Sequence, residues 1–268
     1  MKVRDVMTTD IVTVDKDRNL RDVLDLMDQH RITKIPVVEH GRLVGIVTDG
    51  RIADKLGRIR NKQVQTTTLH ASSVMEKDFI VAHPDEDLES LLKDVGQPGL
   101  TMIPVVKGHD LVGVVTKADL LPLVDSDTPL RELMHKEIKA VSPTERIIHA
   151  RRLILDNQIG RLPVLDGGEV RGIIAEHEIA GAFAGFKMAD LSVQKVNIRD
   201  MQVGEYMVRD VVTAPPGATA KEAARLMMAH HVGALPIVNG RRTIEGIVTR
   251  TDLIRTYAAL KTAGPVAS

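Results

Sequence analysis

One arrangement of apolar and polar residues occurs four times along this chain of 268 residues. In the first copy, residues 11–14 form a short β-branched run, and apolar residues then recur at helical spacing over 20–27. Two further apolar runs, 35–38 and 43–47, are separated by a polar turn. The pattern predicts a strand, a helix and an antiparallel pair of strands, and a second helix follows them.

A proline and a glycine mark the paired strands of every copy. The four pairs are Pro36 with Gly45, Pro104 with Gly113, Pro163 with Gly172, and Pro236 with Gly246. Successive prolines lie 68, 59 and 73 residues apart, which is too long and too uneven for a solenoid. The spacing suits small α+β units, and a unit of roughly 60 residues buries too little surface to be stable alone, so we expect the units to pair.

Polar stretches separate the copies and predict four domains, at residues 1–60, 69–126, 127–186 and 201–262. The predicted fold class is therefore α+β, with four tandem units of strand, helix, strand, strand and helix. Apolar residues make up 43% of the chain but aromatic residues only 2%. The core must therefore be built from Ile, Leu, Val, Met and Ala.

Two local signals in the fourth unit predict where a helix begins and where a hairpin turns. Thr219 and Glu222 have the spacing of a capping box at the start of a helix. Asn239 and Gly240 mark the hairpin, but one extra residue there argues against a plain two-residue turn.

Composition excludes several classes of protein. Lys plus Arg and Asp plus Glu number 36 each, so net charge gives no argument for nucleic acid or an anionic membrane as a partner. The chain has no cysteine, which removes disulfides and thiolate chemistry. No stretch approaches 18 apolar residues, and the first residues lack the apolar core of a signal peptide. We expect a cytoplasmic protein.

Catalytic and metal motifs are missing from the sequence. Phosphate-binding glycine loops, zinc-protease and serine-hydrolase motifs do not occur, and the repeats occupy nearly the whole chain, so we predict that the protein is not an enzyme. The adjacent pair at 230–231 and the stretch 176–178 contain histidine, but neither has a partner at helical i, i+4 spacing. No metal site is expected.

The element order and the strand sequences at 35–38 and 45–48 resemble the cystathionine β-synthase (CBS) domain. The unit openings at 6–13 and 206–213 resemble it too, and the likeness covers nearly the whole chain. It implies two pseudo-twofold pairs called Bateman modules, formed by units one and two and by units three and four. It also implies that adenosine-containing ligands bind in clefts between paired units.

The family's ligand marker is Gly-x-x-Thr/Ser-x-x-Asp, and it is complete at residues 113–119 and 246–252. A carboxylate can accept two hydrogen bonds from the ribose cis-diol, which assigns ribose binding to Asp119 and Asp252. Hydroxyl and N–H groups where a helix begins favour phosphate. The residues assigned to this helix N-terminus are Thr116, Lys117, Thr249 and Arg250.

The marker is eroded in the other two units. The first unit has Arg51 at the acidic position, and the third has Ala175 in place of the hydroxyl and Glu178 in place of the Asp. Each pair therefore carries one intact marker, in its second unit. The competing interpretation is that the acids only stabilise a helix dipole.

Cations occur in the two units whose marker is eroded. Lys34 and Arg161 stand directly before the Ile/Leu-Pro sequence of the first and third units. In related proteins this position reaches nucleotide phosphates. The hypothesis is one composite site per module, Asp119 with Lys34 and Asp252 with Arg161, and Arg51 is a further candidate for a phosphate contact. The strand residues expected to line the adenine pockets are Ile11, Ile35, Pro36, Ile138, Leu162 and Pro163.

The resemblance implies a regulatory protein without a cofactor, an energy sensor whose ligand is AMP, ADP or ATP, with S-adenosyl derivatives and cyclic dinucleotides ranked behind. Ligand binding would change the geometry of a module and its docking to an unidentified partner protein. A homodimer is slightly favoured over a monomer. The alternative is a constitutive interaction scaffold with ligand-free clefts, and an enzyme acting on nucleotides is a third possibility.

Overall fold

The computed structural model describes residues 1–58, 68–95, 102–188 and 200–262. Its elements confirm an α+β fold of four repeats. The first unit contains β1 (Val14–Asp15), α1 (Leu20–His30), β2 (Lys34–Glu39), β3 (Arg42–Thr48) and α2 (Asp49–Arg58). The second contains α3 (Leu88–Val95), β4 (Met102–Lys107) and β5 (Asp110–Thr116).

The third and fourth units repeat the plan. The third contains α4 (Leu130–Leu133), α5 (Ile147–Asn157), β6 (Arg161–Asp166), β7 (Glu169–Ala175) and α6 (Glu176–Met188). The fourth contains α7 (Val203–Tyr206), α8 (Ala220–Ala229), β8 (Ala234–Val238), β9 (Ile244–Thr249) and α9 (Arg250–Thr262). Short 3₁₀ turns at Val3–Asp5 and Ala71–Ser73 open the first two units.

Both local predictions for the fourth unit are confirmed. The Thr219 side chain accepts from the backbone N–H of Glu222, whose carboxylate accepts from the backbone of Thr219, and this capping box starts α8. The hairpin after β8 is longer than the others, because Asn239 Oδ1 accepts from the backbone N–H groups of Arg241 and Thr243. A side-chain amide thus organises the wider turn.

The opening strand of each unit is shorter than predicted. In the first unit only Val14–Asp15 pairs, in parallel with β2. Ile11 and Val12 are half-buried and pack against neighbouring core clusters instead of joining a ladder. In the other units the strand is a single parallel bridge: Ala82 with Val105, Val141 with Val164, and Ala214 with Ile237.

The second unit departs from the predicted order, since no α-helix follows β5. A turn over 117–120 leads into a 3₁₀ turn at Leu121–Leu123. Pro122 explains the interruption, because proline lacks an N–H and its ring disfavours helical geometry in the residue before it. The expected helix N-terminus at Thr116 and Lys117 is therefore wrong, and those residues lie at a turn.

Sheet contacts confirm the predicted pairing of units. The first and second units share a five-stranded sheet in the order β1-β2-β3-β5-β4, joined by Arg42 opposite Asp110. The hairpins of the third and fourth units meet where Glu169 pairs with Thr243. Each hairpin has a bulge at the same place, between the first and second residues after its proline.

The two modules also pack on each other, through helices. The largest core cluster joins α2 of the first unit to α6 of the third and includes Leu56 and Phe183, both fully buried. At its edge Arg151 Nη2 lies 2.6 Å from Asp54 Oδ1, with side chains 17% and 22% exposed. Helix α9 of the fourth unit packs against α3 of the second. The units therefore close a ring in the order one, two, four, three within one chain.

No helix in the described ranges is both long enough and apolar enough to cross a membrane.

Candidate functional site

Asp119 joins the two units of the first module. Its Oδ2 accepts hydrogen bonds from the backbone N–H and the hydroxyl of Thr116, at 2.6 and 2.7 Å. Its Oδ1 accepts from the hydroxyl of Thr8, at 2.7 Å. Thr8 belongs to the opening of the first unit, so the carboxylate is fixed by its own marker on one side and by the partner unit on the other.

Asp252 has the same geometry in the second module. Its Oδ2 accepts from the N–H and hydroxyl of Thr249, at 2.8 and 2.7 Å. Its Oδ1 lies 2.8 Å from Nε2 of His135, in the opening of the third unit. The Asp252 side chain is 9% exposed and the His135 side chain 58%. A buried carboxylate thus faces a solvent-accessible imidazole.

A residue at the opening of one unit faces the marker of its partner in all four cases. These residues are Thr8, Glu76, His135 and Val208, and each pairs by backbone with the strand residue that follows the marker glycine. Sequence reasoning missed them. They directly follow the opening methionine of each unit, and this shared position is the signal that could have found them.

The two eroded markers are built differently. Arg51 Nη2 lies 2.8 Å from Glu76 Oε1, so an ion pair with its cation at the marker position occupies the place of the Asp119–Thr8 hydrogen bond. In the third unit Glu178 Oε2 keeps the backbone bond, at 2.9 Å from the N–H of Ala175. The partner residue there is Val208, which has no hydrogen-bonding side chain.

Four cations converge where the units meet: Lys34, Lys117, Arg161 and Arg250. The pKa of Lys34 is lowered to about 8, chiefly by burial; the charge of Asp49 acts against this shift, and those of Arg161 and Arg250 act with it. Burial, followed by repulsion from Lys34, lowers the pKa of Lys117 to about 8. Burial also lowers the pKa of Arg161, and it lowers that of Arg250 to about 10.

Two of the acids near these cations stand at the start of helices. Asp49 and Glu176 begin α2 and α6, the helices that join the modules. Burial raises the pKa of Asp49. Burial, reinforced by the charge of Asp49, raises the pKa of Glu176 to about 7, although Lys34 and Arg161 act against the shift. Asp119, Asp252 and Glu178 also act on cations of this group, so positive and negative groups are intermixed where the units meet.

The two intact markers also contact each other across the modules. Lys117 Nζ donates a hydrogen bond of 2.8 Å to the hydroxyl of Thr251. The charge of Lys117 acts on Asp252, and that of Arg250 acts on Asp119. Each marker therefore presents its cation towards the other module's carboxylate.

The residues expected to line adenine pockets differ in how deeply they are buried. Ile11 and Ile138 are half-buried. Ile35 and Leu162 have no exposed surface and pack in the largest core cluster. Because successive strand residues face opposite sides, these two side chains point into the core, and their assignment to a pocket stays a prediction. Pro36 and Pro163, one position along, are buried.

The stretch 176–178 shows no convergence on a metal. Glu176 faces the central cations, Glu178 bonds its own turn, and His177 Nε2 lies 2.7 Å from Asp28 Oδ1. Within the described ranges, no group of three or more His, Asp or Glu side chains could hold an ion.

Comparison with known proteins shows which family this chain resembles in sequence and in fold. The family model for the CBS domain matches residues 3–58, 71–126, 130–185 and 203–259. Uncharacterized protein MJ1225 of Methanocaldococcus jannaschii is 27% identical over 268 residues, 92% of this chain and 95% of that protein. CBS domain-containing protein YhcV of Bacillus subtilis is 34% identical over 118 residues, 44% of this chain and 81% of that protein.

Solved structures share the whole fold. The crystal structure of MJ1225, suggested to be an archaeal homolog of g-AMPK, matches with a TM-score of 0.83 at 24% identity, covering 96% of this chain and 100% of that one. An uncharacterized conserved protein from Pyrococcus horikoshii matches with a TM-score of 0.61 at 22% identity, with the same coverage. With four matched segments that span most of its length, the chain belongs to the CBS domain family.

Proposed function

We propose that this chain is a regulatory protein that binds an adenosine-containing ligand in two of its clefts, with AMP, ADP or ATP as the leading candidates. The observation that carries the proposal is the shared geometry of Asp119 and Asp252. In both, Oδ2 is held by the marker threonine and Oδ1 is bonded to a side chain of the partner unit.

This geometry suits a ribose diol. The two bonds from the threonine fix the carboxylate orientation before a ligand arrives, which lowers the entropic cost of binding. The partner's side chain at Oδ1 can be replaced by a ribose hydroxyl, because both are hydrogen-bond donors to the same oxygen. A ligand bound there would touch both units, and any difference in its affinity for two arrangements would shift their relative angle.

The central charges favour a phosphorylated ligand. Lys34 and Arg161 lie in the same charge cluster as Lys117 and Arg250, and attraction to a phosphate is strong where water is excluded. The same cations would repel the sulfonium of an S-adenosylmethionine. A bound nucleotide would therefore also lower the repulsion among the buried cations, and the altered module geometry would be read by a partner protein.

Titration of adenosine, AMP, ADP, ATP and S-adenosylmethionine by calorimetry and thermal shift tests the proposal. We expect two sites in the unmodified protein, and the loss of one each in Asp119→Asn and Asp252→Asn. Glu178→Gln is the matched control at an equivalent eroded position and should leave the stoichiometry unchanged.

Unchanged stoichiometry in both Asn variants would contradict the assignment of the ribose sites. A ligand at 100 times its Kd adds about 2.7 kcal/mol to the free energy of unfolding, which is easily seen as a thermal shift. A panel with no shift at all would instead favour the constitutive scaffold.

A further inference from the structure

Corresponding marker residues meet each other across the two modules. Lys117, the residue after Thr116 in the second unit, donates a hydrogen bond of 2.8 Å to the hydroxyl of Thr251 in the fourth. Glu176, the corresponding residue of the third unit, packs so closely on Gly50 of the first that a side chain at Gly50 would collide with it. Counted from the marker glycine, the fifth residue of one unit thus meets the sixth residue of the unit opposite.

The reverse contact differs between the two pairs of opposite units. Between the eroded markers, Nδ1 of His177 lies 4.0 Å from Oδ2 of Asp49. Between the intact markers, the residues at these two positions are Ala118 and Arg250, and the alanine side chain has no acceptor. Nε of Arg250 is buried, and no described residue accepts a hydrogen bond from it. A buried N–H without an acceptor is costly, and a ligand that accepts from it would remove this cost.

We propose that Arg250 binds a phosphate of the ligand held in the cleft of Asp119, so that the second module supplies a phosphate contact to the first. This inference rests on the function proposed above, and it assigns Arg250 to the opposite module instead of to its own marker. A guanidinium suits the role, because Nε and one Nη form a planar fork that matches two phosphate oxygens.

The charges around Arg250 support this direction. Burial lowers its pKa to about 10, repulsion from Arg161 adds to the shift, and the charge of Asp119 acts against it. The carboxylate that acts on Arg250 therefore belongs to the first module. Its oxygens already accept hydrogen bonds from Thr8 and Thr116. A phosphate would bring Nε an acceptor as well as a negative charge.

The two intact clefts differ in what a phosphate must displace. Lys117 occupies the position of Arg250 in the second unit, and its Nζ is bonded to Thr251. A phosphate in the cleft of Asp252 would have to compete with that hydroxyl for the ammonium group. No such bond has to be broken at Nε of Arg250. We therefore expect a phosphate to add more affinity in the cleft of Asp119 than in the cleft of Asp252.

Calorimetry with adenosine and AMP tests the assignment in variants that each keep one cleft. In an Asp252→Asn background, which keeps the cleft of Asp119, Arg250→Met should weaken AMP binding about 10- to 100-fold, the usual size for a hydrogen bond to a charged group. Adenosine binding should be weakened much less. Arg250→Lys keeps the charge without the fork, and its loss should be smaller. In an Asp119→Asn background, Arg250→Met should have a much smaller effect on AMP.

A second pair of variants supplies the missing acceptor and leaves the arginine in place. Ala118→Thr copies the residue of the opposite marker, and Ala118→Val adds a side chain of similar size without the hydroxyl. If the hydroxyl accepts from Arg250, it competes with a phosphate. We therefore expect AMP to bind the cleft of Asp119 about threefold more weakly in the Thr variant than in the Val variant. Adenosine should bind the two variants equally.

The outcomes separate this inference from the proposed function. An effect of Arg250→Met on AMP that is equal in the two backgrounds, or larger in Asp119→Asn, would overturn the inference and leave the proposed function intact. Equal losses of adenosine and AMP would also overturn it, since a merely structural role moves both. Identical AMP affinities of Ala118→Thr and Ala118→Val would count against it in the same way. Failure of every adenosine compound to bind the unmodified protein would overturn both.

Discussion

The sulphur of Met75 lies so close to Gly45 that a β-carbon on this glycine would stand 2.8 Å from it. Met75 belongs to the second unit and Gly45 to the first, so the contact locks the pair together. The same contact occurs in all four repeats, between the marker glycine of one unit and the opening methionine of its partner unit. The other pairs are Gly113 with Met7, Gly172 with Met207, and Gly246 with Met134. The repeated glycine is therefore required by close approach of the partner unit.

Gly45→Ala should lower the free energy of unfolding by about 1–3 kcal/mol, the usual cost of overpacking. The added methyl group meets the Met75 side chain and the backbone oxygen of Glu76 at 3.0 Å. Urea denaturation measures the effect. Gly181→Ala in α6 is the control, because nothing lies within 4 Å of its β-carbon and alanine favours a helix by up to about 1 kcal/mol. Equal effects at the two positions would contradict the lock.

Glu176→Gln should change the pH dependence of stability. The raised pKa of Glu176, about 7, results first from burial, so the folded state prefers the protonated acid. This preference is fully present below pH 4 and is lost as the pH rises towards 7. The variant should match the unmodified protein near pH 4.5 and be more stable at pH 8, by on the order of 1–3 kcal/mol.

Urea denaturation at several pH values tests this prediction. Glu89→Gln on the exposed side of α3 provides the control, and its difference from the unmodified protein should not vary with pH. A constant difference for Glu176→Gln would show that its charge is already satisfied at the meeting point of the units.

Lys117→Met should weaken AMP binding more than adenosine binding. The ammonium group bonds Thr251 in the other module and acts on Asp252, so we expect the loss in both clefts. Calorimetry with both ligands gives the ratio of the two affinities. Lys221→Met, which removes a cation from an exposed ion pair with Asp125, is the control. Equal losses for AMP and adenosine would assign Lys117 a structural role only.

Phe183→Ala should destabilise the first and third units together, because Phe183 is fully buried in the core cluster that both share. We expect a loss of about 3–5 kcal/mol in a single transition. Hydrogen exchange should accelerate in α2 as well as in α6. Leu260→Ala removes a side chain that is 55% exposed and should have little effect. Acceleration confined to α6 would show that the modules unfold separately.

The sequence predicted what depends on local periodicity. Helix stripes, paired strands and the capping box at Thr219 follow from side chains a few residues apart, and they were confirmed. The end of the second unit without a helix was not predicted, and Pro122 is the signal that could have shown it. The packing of α2 on α6 joins residues more than a hundred positions apart, and no local pattern encodes it.

The candidate site was predicted only in part for the same reason. The marker identifies Asp119 and Asp252 within one stretch of chain. Thr8 and His135 lie 111 and 117 residues away from them in sequence, and only the folded pairing brings them together. The core positions of Ile35 and Leu162 likewise follow from which face of the strand meets a helix, which the apolar run alone leaves open.

Closure of the ring within one polypeptide frees the two modules to diverge. In a homodimer of identical two-unit chains, symmetry would force every substitution into both halves, and the two clefts would always be alike. Covalent linkage lifts that constraint, so a threonine in one half and a histidine in the other can coexist. A single chain can then place two equivalent carboxylates in unlike surroundings.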